Sequence, residues 1–182
     1  MVRALRSALL GAAALVCLAG AAAQEAHWLD VPFVSQPKEG CGAAVISMTL
    51  QYWKAQGSPV SNSAFDVASI QSRLYSPDDH GIKASAMTRY FEEKGFRAIA
   101  FAGTRDDLEK HIAKGRPLIV ALKESKDGRV LHYVIVAGVD PPSKVVLVND
   151  PAQRKLLKMD LADFERAWAG TKNWTLLVVP KS

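Results

Sequence analysis

The stretch QPKEGCGAAVISMTLQYW, residues 36–53, places one cysteine between two glycines at the point where an apolar stretch begins. The apolar side chains that follow cover one broad face of a helix: Val45, Ile46, Met48, Leu50, Tyr52 and Trp53. The sequence GSP at 57–59 then ends the pattern, because glycine and proline interrupt helices. This stretch predicts a buried helix that starts just after Cys41.

The rest of the chain divides into a helical part and a later part rich in strands. Apolar periodicity predicts helices at about 63–74 and 84–94, with the loop YSPDDHG between them. The later part is predicted to contain strands at 96–101, 117–123, 131–139, 144–150 and 174–179, short helices at 104–115 and 160–168, and turns at 127–129 and 140–143. Helices followed by antiparallel strands predict an α+β domain with two lobes.

Composition excludes several classes of protein. The chain has 182 residues, of which 49% are hydrophobic and 23% charged, so it can bury a core in one globular domain and is not a disordered chain. The basic residues are scattered among acidic ones, which argues against a nucleic-acid-binding surface.

Residues 1–23 have the pattern of a secretory signal peptide. Two arginines precede an apolar run, small residues end it, and no acidic residue occurs. The run is short and rich in alanine, which favours cleavage over a permanent membrane anchor. We therefore expect cleavage after Ala23, a single domain at 24–182 without a membrane segment, and a periplasmic or secreted location.

Only Cys41 would remain after the leader is removed, because the second cysteine, Cys17, lies within it. Lipidation of Cys17 is a lesser alternative, since Val16 stands where a lipoprotein signal carries Gly, Ala or Ser. A single thiol in an oxidising compartment cannot form an intramolecular disulfide. Cys41 is then an inert buried thiol, half of an intermolecular bridge, or a nucleophile.

The position of Cys41 favours the nucleophile. A helix N-terminus carries unpaired N–H groups and a partial positive charge, which stabilise a thiolate relative to a thiol. Gly40 and Gly42 would let a substrate approach the sulfur closely.

A thiolate nucleophile needs a partner that moves protons, and the mature chain offers four histidines. His132 is favoured, because it interrupts an apolar strand where a buried imidazole requires a hydrogen-bond partner. His111 is expected on an exposed helix, and His27 is close to the new N-terminus. His80 could join two neighbouring aspartates as a metal cluster, but further ligands are missing, so a polar turn and no metal are expected.

The partner of His132 is expected at the end of the next strand. In an antiparallel hairpin, pairing residues whose numbers sum to 282 places Asp150 directly opposite His132 and requires a five-residue loop. A sum of 283 instead places the ring between Asn149 and Asp150, with Asn149 sharing its face. Either side-chain oxygen could orient the imidazole.

Gln36 is the candidate for stabilising a negative oxygen. It lies five residues before Cys41, and its side-chain amide could donate to the oxygen that becomes negative when the thiolate adds to a carbonyl. The backbone N–H of Cys41 would be the second donor.

With these residues in place, the chain resembles the papain-like cysteine peptidases, and most closely the double-glycine-leader peptidases that trim bacteriocin precursors. The matching segments are VPFVSQPKEGCGAA, GRPLIVAL followed by LHYVIVAGVD, and VLVNDPA. They span most of the mature chain in the order of that family. The resemblance implies a papain-like two-lobed fold, with Cys41 at a helix N-terminus packed on an antiparallel sheet that carries His132 and Asp150.

The resemblance also implies a cleaving domain fused to an ABC transporter, whereas this sequence shows an export signal and no transporter. We therefore expect a different substrate. The favoured interpretation is an exported thiol peptidase that hydrolyses a peptide or isopeptide amide through an acyl-thioester, without a cofactor, a metal or nucleic acid. A partner protein that completes the cleft is possible on this sequence and remains unidentified.

Two alternatives stay open at this point. The first is an acyltransferase of related fold, similar to transglutaminases or phytochelatin synthases. The second is a non-catalytic peptide-binding module, against which the intact set of Cys41, His132, Asp150 and Gln36 argues.

Overall fold

A computed structural model describes residues 25–123 and 131–181 of the chain. The helices are α1 (Cys41–Ala55), α2 (Val67–Leu74), α3 (Ala84–Glu93), α4 (Arg105–Ala113) and α5 (Leu161–Ala169). The strands are β1 (His27–Trp28), β2 (Tyr75–Ser76), β3 (Gly81–Ile82), β4 (Phe96–Ala102), β5 (Leu118–Lys123), β6 (Leu131–Asp140), β7 (Val145–Asn149), β8 (Leu157–Asp160) and β9 (Trp174–Pro180). The α+β class is confirmed, with α1–α3 preceding most of the sheet.

The main sheet is antiparallel, with strand order β4-β9-β5-β6-β7-β8, and β1 pairs with the end of β6. Alternate residues of the central strands face opposite sides, as strand geometry requires. Ile119 and Ile135 belong to the core cluster that contains α1, whereas Val120 and Val134 pack with Phe164 of α5 and its neighbours. Helices therefore cover both faces of the sheet.

Helix α1 is the centre of the helical lobe. Every residue from Gly42 to Leu50 is buried, as the apolar pattern predicted. The two hydroxyl groups in this stretch donate hydrogen bonds to backbone carbonyls. Ser47 donates to the carbonyl of Phe65 at 2.6 Å, and Thr49 donates to that of Val45 at 2.8 Å. The burial of these residues fixes the position of the residue before them, Cys41.

Four local features differ from the sequence prediction. The helix expected at 63–74 is divided, because the Asp66 side chain accepts a hydrogen bond from the backbone N–H of Ser69 and so starts α2 afresh after a short 3₁₀ turn. The loop YSPDDHG contains the hairpin of β2 and β3. Strands β1 and β8 were not predicted. The turn expected at 127–129 and the leader at 1–23 lie outside the described residues.

None of the helices within 25–123 and 131–181 has the length and apolarity of a membrane span.

Candidate active site

Cys41 is the first residue of α1, and its side chain is partly exposed. The two glycines beside it have a packing role that the sequence analysis did not foresee. A Cβ on Gly42 would lie 2.8 Å from Cβ of Ile82, and one on Gly40 would lie 2.5 Å from the ring of Pro37. The glycines therefore let the first turn of α1 pack against β3 and the preceding loop.

The exposed side of Cys41 faces a cavity of about 860 Å³. Gln36, His132 and Tyr133 also line this cavity, together with β3 and the turn that precedes it. The structure thus brings the predicted nucleophile, imidazole and glutamine to one cleft between the helical lobe and the sheet.

His132 and Asp150 form a buried pair behind the cavity. Nε2 of His132 lies 2.8 Å from Oδ1 of Asp150, and the two residues are 5% and 3% exposed. The same carboxylate accepts hydrogen bonds from the backbone N–H of Ala152 at 2.9 Å and from Nε2 of Gln153 at 2.5 Å. This set of donors fixes the carboxylate, and the carboxylate fixes the imidazole.

Burial alone would raise the pKa of Asp150. The hydrogen bond and charge of His132, with the donors from Ala152 and Gln153, outweigh burial and hold the pKa of this carboxyl below its ordinary value. Asp150 is therefore a carboxylate that can stabilise an imidazolium.

Both registers expected for the hairpin of β6 and β7 are wrong. The pairs Asp140↔Val145 and Gly138↔Leu147 lie before a bulge, and Val136↔Val148 and Ile135↔Asn149 lie after it. The strands pair as far as Asp140 and Val145, so the turn between them is shorter than the turn required by pairing residues whose numbers sum to 282. The bulge then shifts the pairing by one residue. Asp150 reaches His132 along the face of the sheet and not from the directly opposite position.

Asn149 makes its side-chain hydrogen bonds to the segment before α1 and to the loop after β7. Its Nδ2 donates to the carbonyl oxygens of Val31 at 3.0 Å and Pro32 at 3.4 Å, and its Oδ1 accepts from the backbone N–H of Leu156 at 2.9 Å. The side chain is fully buried. Between the two residues proposed to orient the ring, the structure favours Asp150.

Gln36 lies in the segment without regular structure that precedes α1. Its backbone N–H donates to the carbonyl of Pro151 at 2.9 Å, which ties this segment to the loop that follows Asp150. Its Oε1 is buried without a hydrogen-bond partner among the described residues. The side chain and Cys41 share the cavity, as a donor to a developing oxyanion would require.

Tyr133 is a cavity residue that sequence reasoning missed, because a tyrosine in an apolar strand resembles an ordinary core residue. Burial, with smaller contributions from the charges of Cys41 and Asp79, raises its pKa to about 12. Its ring packs against Trp174 with centroids 5.5 Å apart. It therefore presents a neutral phenol to the cleft at physiological pH.

A polar cluster that lines the same cavity was also missed. The Glu39 carboxylate accepts a hydrogen bond from the hydroxyl of Tyr75, which holds its pKa below the ordinary value, and lies 3.4 Å from Nδ1 of His80. Glu39 and His80 both have positive φ, 55° and 49°. The loop YSPDDHG carried the signal, since polar residues grouped beside a turn are typical of binding loops.

His27 and His111 are not among the residues that line the cavity beside Cys41. His27 lies in β1 and pairs with Val139. His111 is half-buried beside Phe101, not on an open helix face, and burial lowers its pKa. Within the part of the chain that the structure describes, no group of three or more His, Cys, Asp or Glu side chains could hold a metal ion.

A family model described as "Peptidase_C39 like family" matches residues 28–175. The chain belongs to this family. It is thereby a cysteine peptidase, and the matched range contains Gln36, Cys41, His132 and Asp150.

Solved structures with the same fold include peptidase domains of this group. A protein described as a C39-like peptidase from Bacillus anthracis has 20% identity and a TM-score of 0.65, over 87% of this chain and 99% of that one. The peptidase domain of Streptococcus ComA, a bifunctional ABC transporter of a quorum-sensing pathway, has 22% identity and a TM-score of 0.64, over 83% and 99%. A double-glycine-motif protease from an AMS/PCAT transporter, solved with its leader peptide, has 23% identity and a TM-score of 0.61, over 85% and 95%. No curated protein matches the chain significantly.

Proposed function

We propose that this protein cleaves a peptide or isopeptide amide through an acyl-thioester on Cys41. The observation that carries the proposal is the buried His132–Asp150 pair, whose imidazole lines the same cavity as the thiol at the N-terminus of α1. A hydrogen-bonded imidazole and carboxylate beside a thiol form the arrangement that activates a cysteine nucleophile.

In the first step, the Cys41 thiolate attacks the carbonyl carbon of the scissile amide. A C–S bond forms, the C–N bond breaks, and the His132 imidazolium gives its proton to the leaving amine. Asp150 holds the ring through Nε2 and stabilises its charged form. In the second step, His132 removes a proton from water, and the water oxygen attacks the thioester carbonyl. The C–S bond then breaks, the carboxylic acid product leaves, and the Cys41 thiolate and the His132 imidazolium are restored.

Gln36 has the role of oxyanion donor in this proposal. Its side-chain amide and the backbone N–H of Cys41 would stabilise the negative oxygen in both tetrahedral intermediates. The first turn of α1 adds the partial positive charge of a helix N-terminus.

The substrate class in the proposal is a polypeptide segment that lies extended in the cavity. The leader-peptide complex of the AMS/PCAT protease supports this choice, since that protein has the same fold. The cavity is large enough for several residues of an extended chain. We further propose that the protein acts after export and removal of residues 1–23, on the strength of the leader's sequence pattern.

A peptide library incubated with the protein and with Cys41→Ala tests the proposal. New termini made only by the wild type are expected, together with an acyl adduct on Cys41 in rapidly quenched samples. Products in which an amine has replaced water would indicate acyl transfer. A non-catalytic binding module would be favoured by two results together. The wild type would make no product that Cys41→Ala does not make, and the reactivity of the Cys41 thiol would be the same with and without His132.

A further inference from the structure

The buried Asn149 side chain joins the two segments that flank the cavity. One is the loop after β7, which carries Asp150, and the other is the irregular segment from Leu29 to Gly40, which carries Gln36. Nδ2 of Asn149 holds the carbonyls of Val31 and Pro32 in the second segment, while Oδ1 holds the backbone of Leu156 at the end of the loop.

The segment that carries Gln36 makes few other backbone hydrogen bonds to the rest of the protein. It belongs to no helix, and beyond β1 no strand holds it to the sheet. Its backbone is tied by Leu29 N–H to the carbonyl of Ala137 at 2.7 Å and by Gln36 N–H to that of Pro151 at 2.9 Å. Between these two points Val31 is buried in the core and Phe33 and Val34 pack against it, and Asn149 adds side-chain hydrogen bonds to the backbone. The exposed ion pair of Asp30 with Lys155 adds little, because surface pairs are weak.

We infer that Asn149 is a positioning residue for the oxyanion site, acting through the Gln36 segment. This rests on the proposed function, since it presumes that Gln36 donates to an oxyanion. Without the Asn149 amide, the carbonyls of Val31 and Pro32 lose their donor inside the protein and the segment relaxes toward other partners. A displacement of about 1 Å at a catalytic donor can reduce a rate about a hundredfold.

Two reagents separate this role from a general loss of structure. With p-nitrophenyl acetate, the Cys41 thiolate attacks the ester carbonyl, a C–S bond forms through a tetrahedral oxyanion, and p-nitrophenolate leaves. With iodoacetamide, the same thiolate displaces iodide at a CH₂ group, and no oxyanion forms. Acylation therefore requires the oxyanion donors, and alkylation does not.

The test compares both rates in wild type, Asn149→Leu, Gln36→Ala and the double variant. Leucine matches the branched shape of asparagine but lacks its hydrogen bonds. We expect Asn149→Leu to slow acylation at least about tenfold, to leave alkylation within about twofold, and to add little in the Gln36→Ala background. Thr175→Val on β9, which removes a partly buried hydrogen bond to the carbonyl of Asn173, should change neither rate.

Each other outcome contradicts the inference. Equal losses in the acylation and alkylation rates would mean that Asn149 acts through Asp150 and His132. Losses that add up in the double variant would mean that Asn149 acts independently of Gln36. An unchanged acylation rate in Asn149→Leu would exclude the positioning role. If Asn149→Leu does not fold, Asn149→Ala with the same two reagents replaces it. Failure of the proposed function would be seen in a different comparison, as an alkylation rate of Cys41 that is the same in wild type and in His132→Ala.

Discussion

Nε2 of His132 and Oδ1 of Asp150 lie 2.8 Å apart, although the register of β6 and β7 does not place the two residues opposite each other. The contact holds the ring in the wall of the cavity that Cys41 also lines. Because β7 ends at Asn149, the carboxylate reaches the ring from the loop that follows this strand.

Replacing His132 should damage catalysis more than replacing Asp150. His132→Ala removes the proton-transfer group, whereas the amide oxygen in Asp150→Asn can still accept a hydrogen bond from Nε2. We expect kcat/KM of His132→Ala to be at least about tenfold lower than that of Asp150→Asn. Steady-state kinetics on a substrate found in the peptide library measure both values. A lower kcat/KM for Asp150→Asn than for His132→Ala would show that another group is the base.

Removing the Gln36 amide should impair the chemical step without unfolding the protein. Gln36→Ala is expected to lower kcat about 100- to 1,000-fold, or about 2.7–4 kcal/mol of transition-state stabilisation, because one oxyanion donor is lost. Lys38→Ala, an exposed change in the same loop, is the matched control and should retain activity. Wild-type turnover by folded Gln36→Ala would exclude the donor role.

The reactivity of Cys41 should depend on His132 at mildly acidic pH. Iodoacetamide is expected to alkylate the wild type readily near pH 6, because an imidazolium beside the sulfur favours the thiolate. In His132→Ala, that low-pH reaction should largely disappear, and the rate should rise only toward alkaline pH. Labelling followed by mass spectrometry gives both profiles. Slow labelling of the folded wild type at every pH would identify Cys41 as an inert thiol.

The Asp150 carboxylate should stabilise the fold in a pH-dependent way. Its folded pKa is lower than the ordinary value of 3.8, so its contribution is present above that pH and is lost as the pH falls through the folded pKa. The difference in unfolding free energy between wild type and Asp150→Asn should be largest near neutral pH and should shrink below about pH 4. Urea titrations at several pH values measure it, and a constant difference would contradict the linkage.

Glycine at position 42 should be required by packing. Gly42→Ala is expected to destabilise the protein by about 1–3 kcal/mol, since the new Cβ would lie 2.8 Å from Ile82. Ile82→Ala should relieve part of this cost in a double variant. Gly81→Ala is the control, because its nearest atom, the Asp79 carbonyl oxygen, is 3.9 Å away. Equal thermal midpoints for both single variants would show that β3 can move aside.

The sequence was informative where local rules determine structure and less so where tertiary contacts do. The apolar face of residues 42–56 predicted α1 to within one residue at each end, and the helix expected from Thr104 is α4, which Thr104 caps. The strand register was missed because neither the shorter turn after Asp140 nor the bulge near Ala137 leaves a local signal. The structural role of Asn149 was missed for a related reason, since its partner Val31 is 118 residues away.

That separation has a consequence for when the protein can become active. A chain that is being synthesised acquires Cys41 and α1 long before the strands that bear His132 and Asp150 exist. The thiol then has no base, and the Gln36 segment has neither Asn149 nor Pro151 to hold it. On the proposed roles, the order of synthesis itself keeps the enzyme latent, so the nascent chain cannot cleave its surroundings until the last sheet contacts have formed.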